Sequence, residues 1–143
     1  DLICAQAAAW AVAAVGPEEI DELDILNARM KAMELAIGRL DPAADFALID
    51  GNRDHGTRCA ITLPHETVVR GDGRSASIAA ASILAKVSRD RHMEAMSEQY
   101  PQYRFDKHKG YGTRLHYEML DQYGPSPIHR KSFLRKWEAS RRG

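Results

Sequence analysis

Two cysteines, Cys4 and Cys59, cannot build a disulfide framework, and neither lies in a Cys-x-x-Cys pair that would suggest zinc. A reducing cytoplasm is therefore the expected location. Long apolar runs are missing too. None approaches the roughly 18 to 20 residues that span a bilayer, and the alanine-rich stretch Ala5 to Val15 is too short and its side chains too small. The six histidines, His55, His65, His92, His108, His116 and His129, show no metal-ligand spacing and sit beside no Ser or Cys nucleophile motif. There is no internal repeat and no low-complexity segment. An initiating Met and a signal peptide are absent as well: Asp1 opens what looks like the middle of an element, so the sequence reads as a fragment of a longer chain.

What is present is ordinary globular material. At 143 residues and 16.0 kDa the chain has the size of one domain with one core. Hydrophobic residues at 44% and charged residues at 28% exclude a disordered tail. The formal net charge of zero hides an asymmetry. Residues 1–50 hold ten acidic and three basic side chains, and residues 51–143 hold ten acidic and seventeen basic. A chain so polarised suits a partner rich in phosphate on its basic half, although charged faces are also simply solvated.

Gly16-Pro17-Glu18-Glu19 starts a helix, with Pro at its first position and carboxylates at the positive end of the dipole. Ile20, Leu23, Leu26, Met30, Met33, Ile37 and Leu40 then form an apolar stripe, with a break near Asp24 and an end at Asp41-Pro42. Phe46–Ile49 and Thr67–Val69 are short buried-strand signals, followed by Asp50-Gly51 and Gly71-Asp72. Ser75-Ala76-Ser77 caps a long helix that runs to about Gln99, before Pro101. A third helix spans Thr113–Tyr123 and ends at Gly124-Pro125; a last one covers Ile128–Trp137, with a frayed basic tail. Residues 1–15 are ambiguous between helix and strand. Long helices alternating with short buried strands imply an α/β domain.

Three constellations carry chemistry. Asp50 and Asp72 each follow a short strand; projecting from one sheet edge they would offer hard oxygen ligands to Mg²⁺, but Asp-Gly is equally a turn dipeptide. His108-Lys109-Gly110-Tyr111-Gly112-Thr113 places a tyrosine between glycines, where its ring could stack on a nucleotide or merely staple a surface loop. All five tyrosines fall between Tyr100 and Tyr123, interleaved with Arg104, Lys107, Lys109 and Arg114. Lys86 and Arg89, on the long helix, could contact phosphate, or Lys86 could pair with Asp90 one turn on.

The order of these pieces resembles one family. Leu48-Ile49-Asp50-Gly51-Asn52, Val69-Arg70-Gly71-Asp72, Ser77 to Val87 with Arg89-Asp90-Arg91, His108 to Thr113, Gly124-Pro125 and Ile128 to Phe133 look like bacterial ribonuclease HII, a type 2 ribonuclease H, over essentially the whole chain. The resemblance implies a ribonuclease H-like α/β fold with a central mixed sheet flanked by helices, truncated at its N-terminus, in which residues 5–15 would be a strand. It implies an endonuclease that cuts the RNA strand of RNA–DNA hybrids and cuts 5′ of single ribonucleotides embedded in duplex DNA. Four carboxylates would hold two Mg²⁺ or Mn²⁺ ions, Asp50 and Asp72 matching two of them. Tyr111 matches the residue that stacks at the ribonucleotide and reads its 2′-hydroxyl. Lys109, Gly110, Lys86 and Arg89 would bind substrate, residues 100–143 would form a basic, tyrosine-rich substrate-binding segment, and the complete protein would be monomeric and free of membranes.

One departure goes with the match. The family carries an adjacent Asp-Glu pair followed by Gly-Arg-Gly on its first strand, and nothing before residue 50 provides it. Two metal ligands are thus missing from this sequence, and the chain alone is expected to bind metal weakly and to cut poorly or not at all. An incomplete sheet would also expose a strand edge and apolar helix faces. A non-catalytic nucleic-acid-binding α/β domain and a purely structural α/β module are the alternative readings.

Overall fold

The computed structural model describes residues 1–142. Its contacts fall into two compact units, Asp1–Ala85 and Lys86–Gly143.

The first unit begins with the short helix α1 (Leu2–Gln6), followed by chain with no regular structure as far as Gly16. Residues 5–15 are therefore not the strand that the resemblance implies. A strand exists through its ladder, and among the described residues the only sheet is two-stranded, with no partner for this stretch. Alanine's helix propensity prevails only as far as Gln6.

Helices α2 (Pro17–Leu23) and α3 (Ile25–Gly38) divide the apolar stripe at Asp24. Its φ of 77° stops one helix, and its carboxylate caps the next by accepting the Asn27 N–H at 2.9 Å. Asn27 is 1% exposed and saturated. Its side-chain amide donates to Leu23 O, Asp24 Oδ2 and Thr57 Oγ1, and its oxygen accepts the N–H groups of Arg58 and Cys59. One buried amide thus ties the start of α3 to the loop at 57–59.

Strands β1 (Ala47–Asp50) and β2 (His65–Val68) pair in parallel, Ala47 opposite His65 and Asp50 opposite Val68. The sheet is therefore parallel rather than mixed among the described residues. Both strands shift slightly from the expected spans. Pro64 has no N–H to give, so β2 begins just after it, while Pro64 O accepts from Ala47 N. Met30, Ile49 and Ile61 form this unit's core, with Leu26, Met33, Ile37 and Ala47 against it. Both methionines serve packing. Between the strands, His65 donates Nδ1–H to Leu63 O and meets Asp54 Oδ2 with Nε2 at 2.8 Å. Both partners are acceptors only, so this ring carries two protons, and the Asp54 bond raises its pKa.

Helix α4 (Ala76–Gln99) contains the boundary between the units and ends before Pro101, as the sequence indicates. In the second unit α5 (Phe105–His108), α6 (Arg114–Tyr123) and α7 (Lys131–Arg142) follow. Thr113 caps α6 by accepting the His116 N–H. The last helix starts later than Ile128 because Ser126–His129 forms a turn. It continues through the basic tail to Arg142, where cations meet the negative end of the dipole. Met93, Tyr103, Phe105, Leu120 and Trp137 make the core, and Tyr100 and Tyr117 pack against it. Three of the five tyrosines are thus core residues; Tyr111 and Tyr123 remain exposed.

Candidate functional site

In the first unit the candidate centre is the carboxyl end of the parallel pair, the sheet edge where α/β folds commonly bind ligands. Asp50 is the last residue of β1. Beyond β2 the chain turns through Arg70, held at φ 55°, into a single 3₁₀ turn, Gly71–Gly73, that carries Asp72. Asp50 Oδ1 accepts the Gly71 N–H at 2.8 Å, which anchors one carboxylate to the backbone immediately before the other. Asp72 Oδ1 accepts the N–H of Gly73 at 3.0 Å. Both residues are exposed. Gly71 is buried, and the close approach requires its missing side chain: a Cβ there would lie 2.5 Å from Ile78 Cδ1 and 3.3 Å from Asp50 Oδ1.

The donor chemistry suits a hard cation. Each carboxylate gives one oxygen to a backbone N–H and belongs to an exposed residue, and Mg²⁺ accepts one or two carboxylates while keeping waters. No group of three or more His, Cys, Asp or Glu side chains that could hold a metal occurs among the described residues. A groove of about 750 Å³ runs past Trp10, Val12, Met33, Ile37 and Leu48 as far as Asp50.

In the second unit the candidate element is the loop between α5 and α6. Lys109 and Gly110 are both left-handed, at φ 54° and 85°, and this double turn leaves the Tyr111 ring 60% exposed. A Cβ at 110 would also crowd Met93 Cε at 3.2 Å and Arg89 Nη2 at 3.3 Å. The Arg89 guanidinium lies 4.6 Å from the centre of the Tyr111 ring, a cation–π pair. Lys109 pairs with Glu94 at 3.0 Å and Lys86 with Asp90 at 3.1 Å. Lys86 therefore has the local partner that its spacing allows, and its side chain stays 77% exposed.

Sequence reasoning missed the histidines beneath this loop. His108 and His116 are buried, their rings stacked at 4.0 Å, and His129 meets His116 at 2.7 Å. Burial pushes His116 and His129 down to about 4, and lowers His108 as well. The only signal was indirect: a Thr113 cap puts His116 in the first turn of α6, facing back toward the loop.

Comparison with known proteins agrees with these observations. Residues 5–136 match the family model of ribonuclease HII. The ribonuclease HII of Neisseria meningitidis serogroup C is 49% identical over 135 residues, covering 93% of this chain and 67% of the relative. That of Dechloromonas aromatica is 51% identical, covering 93% and 66%, and that of Vibrio campbellii 53%, covering 90% and 58%. The chain thus spans between 58% and 67% of the length of these curated relatives. The crystal structure of the ribonuclease H2 from Pyrococcus horikoshii OT3 has the same fold, with a TM-score of 0.64 at 24% identity, over 90% of this chain and 67% of that one. With half its residues identical to several of these enzymes across nearly its whole length, the chain belongs to the ribonuclease HII family.

Proposed function

We propose that this chain is the part of a divalent-metal-dependent ribonuclease HII that supplies Asp50 and Asp72 as two of the metal-holding carboxylates and Tyr111 as the aromatic that faces the ribonucleotide. The substrates are RNA–DNA hybrids and DNA duplexes containing single ribonucleotides, cut on the 5′ side of the ribonucleotide, in the cytoplasm. The observation that supports the reading is the hydrogen bond from the Gly71 N–H to Asp50 Oδ1, which ties the end of β1 to the residue just before Asp72.

Divalent ions bound there would activate the attacking water and stabilise the leaving oxygen, so no general-base side chain is required. The protein's part is placement. Asp50 is held by the Gly71 N–H, which fixes one of its oxygens. Tyr111 offers a flat face for a base and a hydroxyl for a 2′-OH, and Arg89 holds a cation against the same ring. Lys86 and Lys109, each in an ion pair, contribute positive field toward phosphates. The isolated chain holds two of four expected ligands and is therefore a weak metal binder and a poor nuclease.

The test joins this chain to the N-terminal third of the Neisseria meningitidis enzyme and assays a DNA duplex carrying one ribonucleotide, with and without Mg²⁺. Magnesium-dependent cutting is expected, falling at least about a hundredfold in Asp50→Asn and in Asp72→Asn. Full activity in either variant overturns the metal assignment. Tyr111→Ala should slow cutting at the single ribonucleotide far more than it weakens duplex affinity; a uniform loss would show that the ring only positions backbone.

A further inference from the structure

Three histidines of the second unit, His108 and His116 buried and His129 half-buried, make two hydrogen-bonded branches in which every ring nitrogen has one assignable role. Ser126 N–H donates to His129 Nδ1 at 3.0 Å, so that nitrogen carries no proton and Nε2 must. His129 Nε2–H then donates to His116 Nε2 at 2.7 Å, which leaves the proton of His116 on Nδ1, and Nδ1–H donates to Tyr111 O at 2.9 Å. Separately, the Gly110 N–H donates to His108 Nδ1 at 3.0 Å, and His108 Nε2–H donates to Tyr103 O at 2.6 Å. The two branches are joined by the stacked rings of His108 and His116, 6° from parallel.

Both branches end on the backbone of the same loop, one at the Gly110 amide and one at the Tyr111 carbonyl. We propose that His108, His116 and His129 act as a neutral relay that positions Tyr111, locking the left-handed Lys109-Gly110 turn so that the exposed ring meets substrate in one orientation. The value of this to catalysis rests on the ribonuclease HII reading above; the relay itself does not.

Neutrality is built into the geometry. A proton added to His108 Nδ1 would face the Gly110 N–H, one added to His129 Nδ1 would face the Ser126 N–H, and one added to His116 Nε2 would face the His129 N–H. Each addition breaks a bond. The surroundings offer little to hold a cation. Phe105 of α5 and Phe133 of α7 are aromatic neighbours, with the Tyr103 ring beside His129. The nearby charged groups are Asp106, which acts on His108, and Arg89 of α4, which approaches Gly110. Burial accordingly holds His116 and His129 near 4.

His116→Phe keeps the ring and its stacking but removes both hydrogen bonds, whereas His116→Asn returns a donor near the position of Nδ1. Backbone amide NMR of the 143-residue chain and both variants reads the loop directly. His116→Phe should shift and broaden Gly110 to Thr113 while Trp137 and α7 stay in place, and His116→Asn should bring the loop back even if it costs as much stability. In the parent, the Tyr111 and Gly112 amides should titrate together with a midpoint near 4, a transition absent from His116→Phe. Loop signals that merely follow global stability, or no difference between Phe and Asn at 116, would overturn the proposal. In the joined enzyme, cutting at a single ribonucleotide should fall about tenfold to a hundredfold in His116→Phe with duplex affinity unchanged, and return in His116→Asn. A disturbed loop with an undisturbed rate would leave the relay standing and remove Tyr111 from the substrate site.

Discussion

The two units use histidine in opposite ways. In the first, His65 lies between a carboxylate and a carbonyl, is doubly protonated, and is stabilised by its charge. In the second, His108, His116 and His129, the first two buried and the third half-buried, keep their hydrogen bonds only while neutral. The side chain is the same and the partner decides: acceptors on both nitrogens demand the cation, a donor on one nitrogen forbids it. The cores differ in the same spirit. The first unit packs Met30, Ile49 and Ile61 around a two-stranded sheet, and the second stacks aromatic and imidazole rings between helices.

The largest test of this contrast is Phe105→Ala. That ring is 1% exposed and touches Tyr103, His108, His116 and His129, so its removal should cost about 3–5 kcal/mol and free the relay as well. Denaturant unfolding followed through Trp137 fluorescence checks it; a loss under about 1 kcal/mol would mean that the rings do not share one core. In the first unit, Asn27→Ala removes the partner of two N–H groups and three acceptors and should cost about 1–3 kcal/mol, with hydrogen exchange at Arg58 and Cys59 speeding up first.

Acid separates the units further. His116 and His129 bind their protons near 4 in the fold and near 6.5 unfolded, so the unfolded chain holds more protons below 6.5. Stability of the second unit should therefore fall between pH 6.5 and about 4 and level off beneath that. The Asp54–His65 pair behaves otherwise. Its histidine contribution is complete below 6.5 and disappears as pH rises through the raised folded value, and its aspartate contribution is complete above 3.8 and disappears toward 2. Hydrogen exchange between pH 6.5 and 4 should accordingly show protection lost in the second unit and kept at the first unit's strands. Equal loss in both would break the comparison. Asp54→Asn should let the His65 pKa fall back toward 6.5, measurable by NMR titration. The smallest effect belongs to Lys86→Ala, since an exposed pair one helical turn apart contributes about 0.3–0.5 kcal/mol.

Features encoded within a few residues were legible. Gly16-Pro17 starts α2, Asp24 breaks the stripe, α6 begins beside Thr113, and Asp72 comes after β2, whereas Asp50, expected just past a strand, is the last residue of β1. Each depends on backbone donors or φ preferences that neighbouring residues set. What stayed hidden depends on distant partners. Residues 5–15 read as a strand through likeness, but a strand needs a ladder that local sequence cannot supply. The relay joins a turn, a helix start and a loop that are separated in the chain by up to 26 residues, from Tyr103 to His129, so no spacing rule exposes it. The tyrosine cluster misled for a related reason: interleaved cations suggest a surface, yet Tyr103 donates its hydroxyl to Gly124 O inside the core.

The bare backbone at Gly71 is also a mechanical link. The Asp50 acid on one side and the opening turn of α4, through Ile78, on the other rest against the same thin spacer, with no slack for even a methyl group. Any nudge to the foot of that helix is thereby passed to the acid, so polishing the packing around Ile78 and tuning the carboxylate's aim are a single act, and substitutions distant in sequence will register at the strand tip.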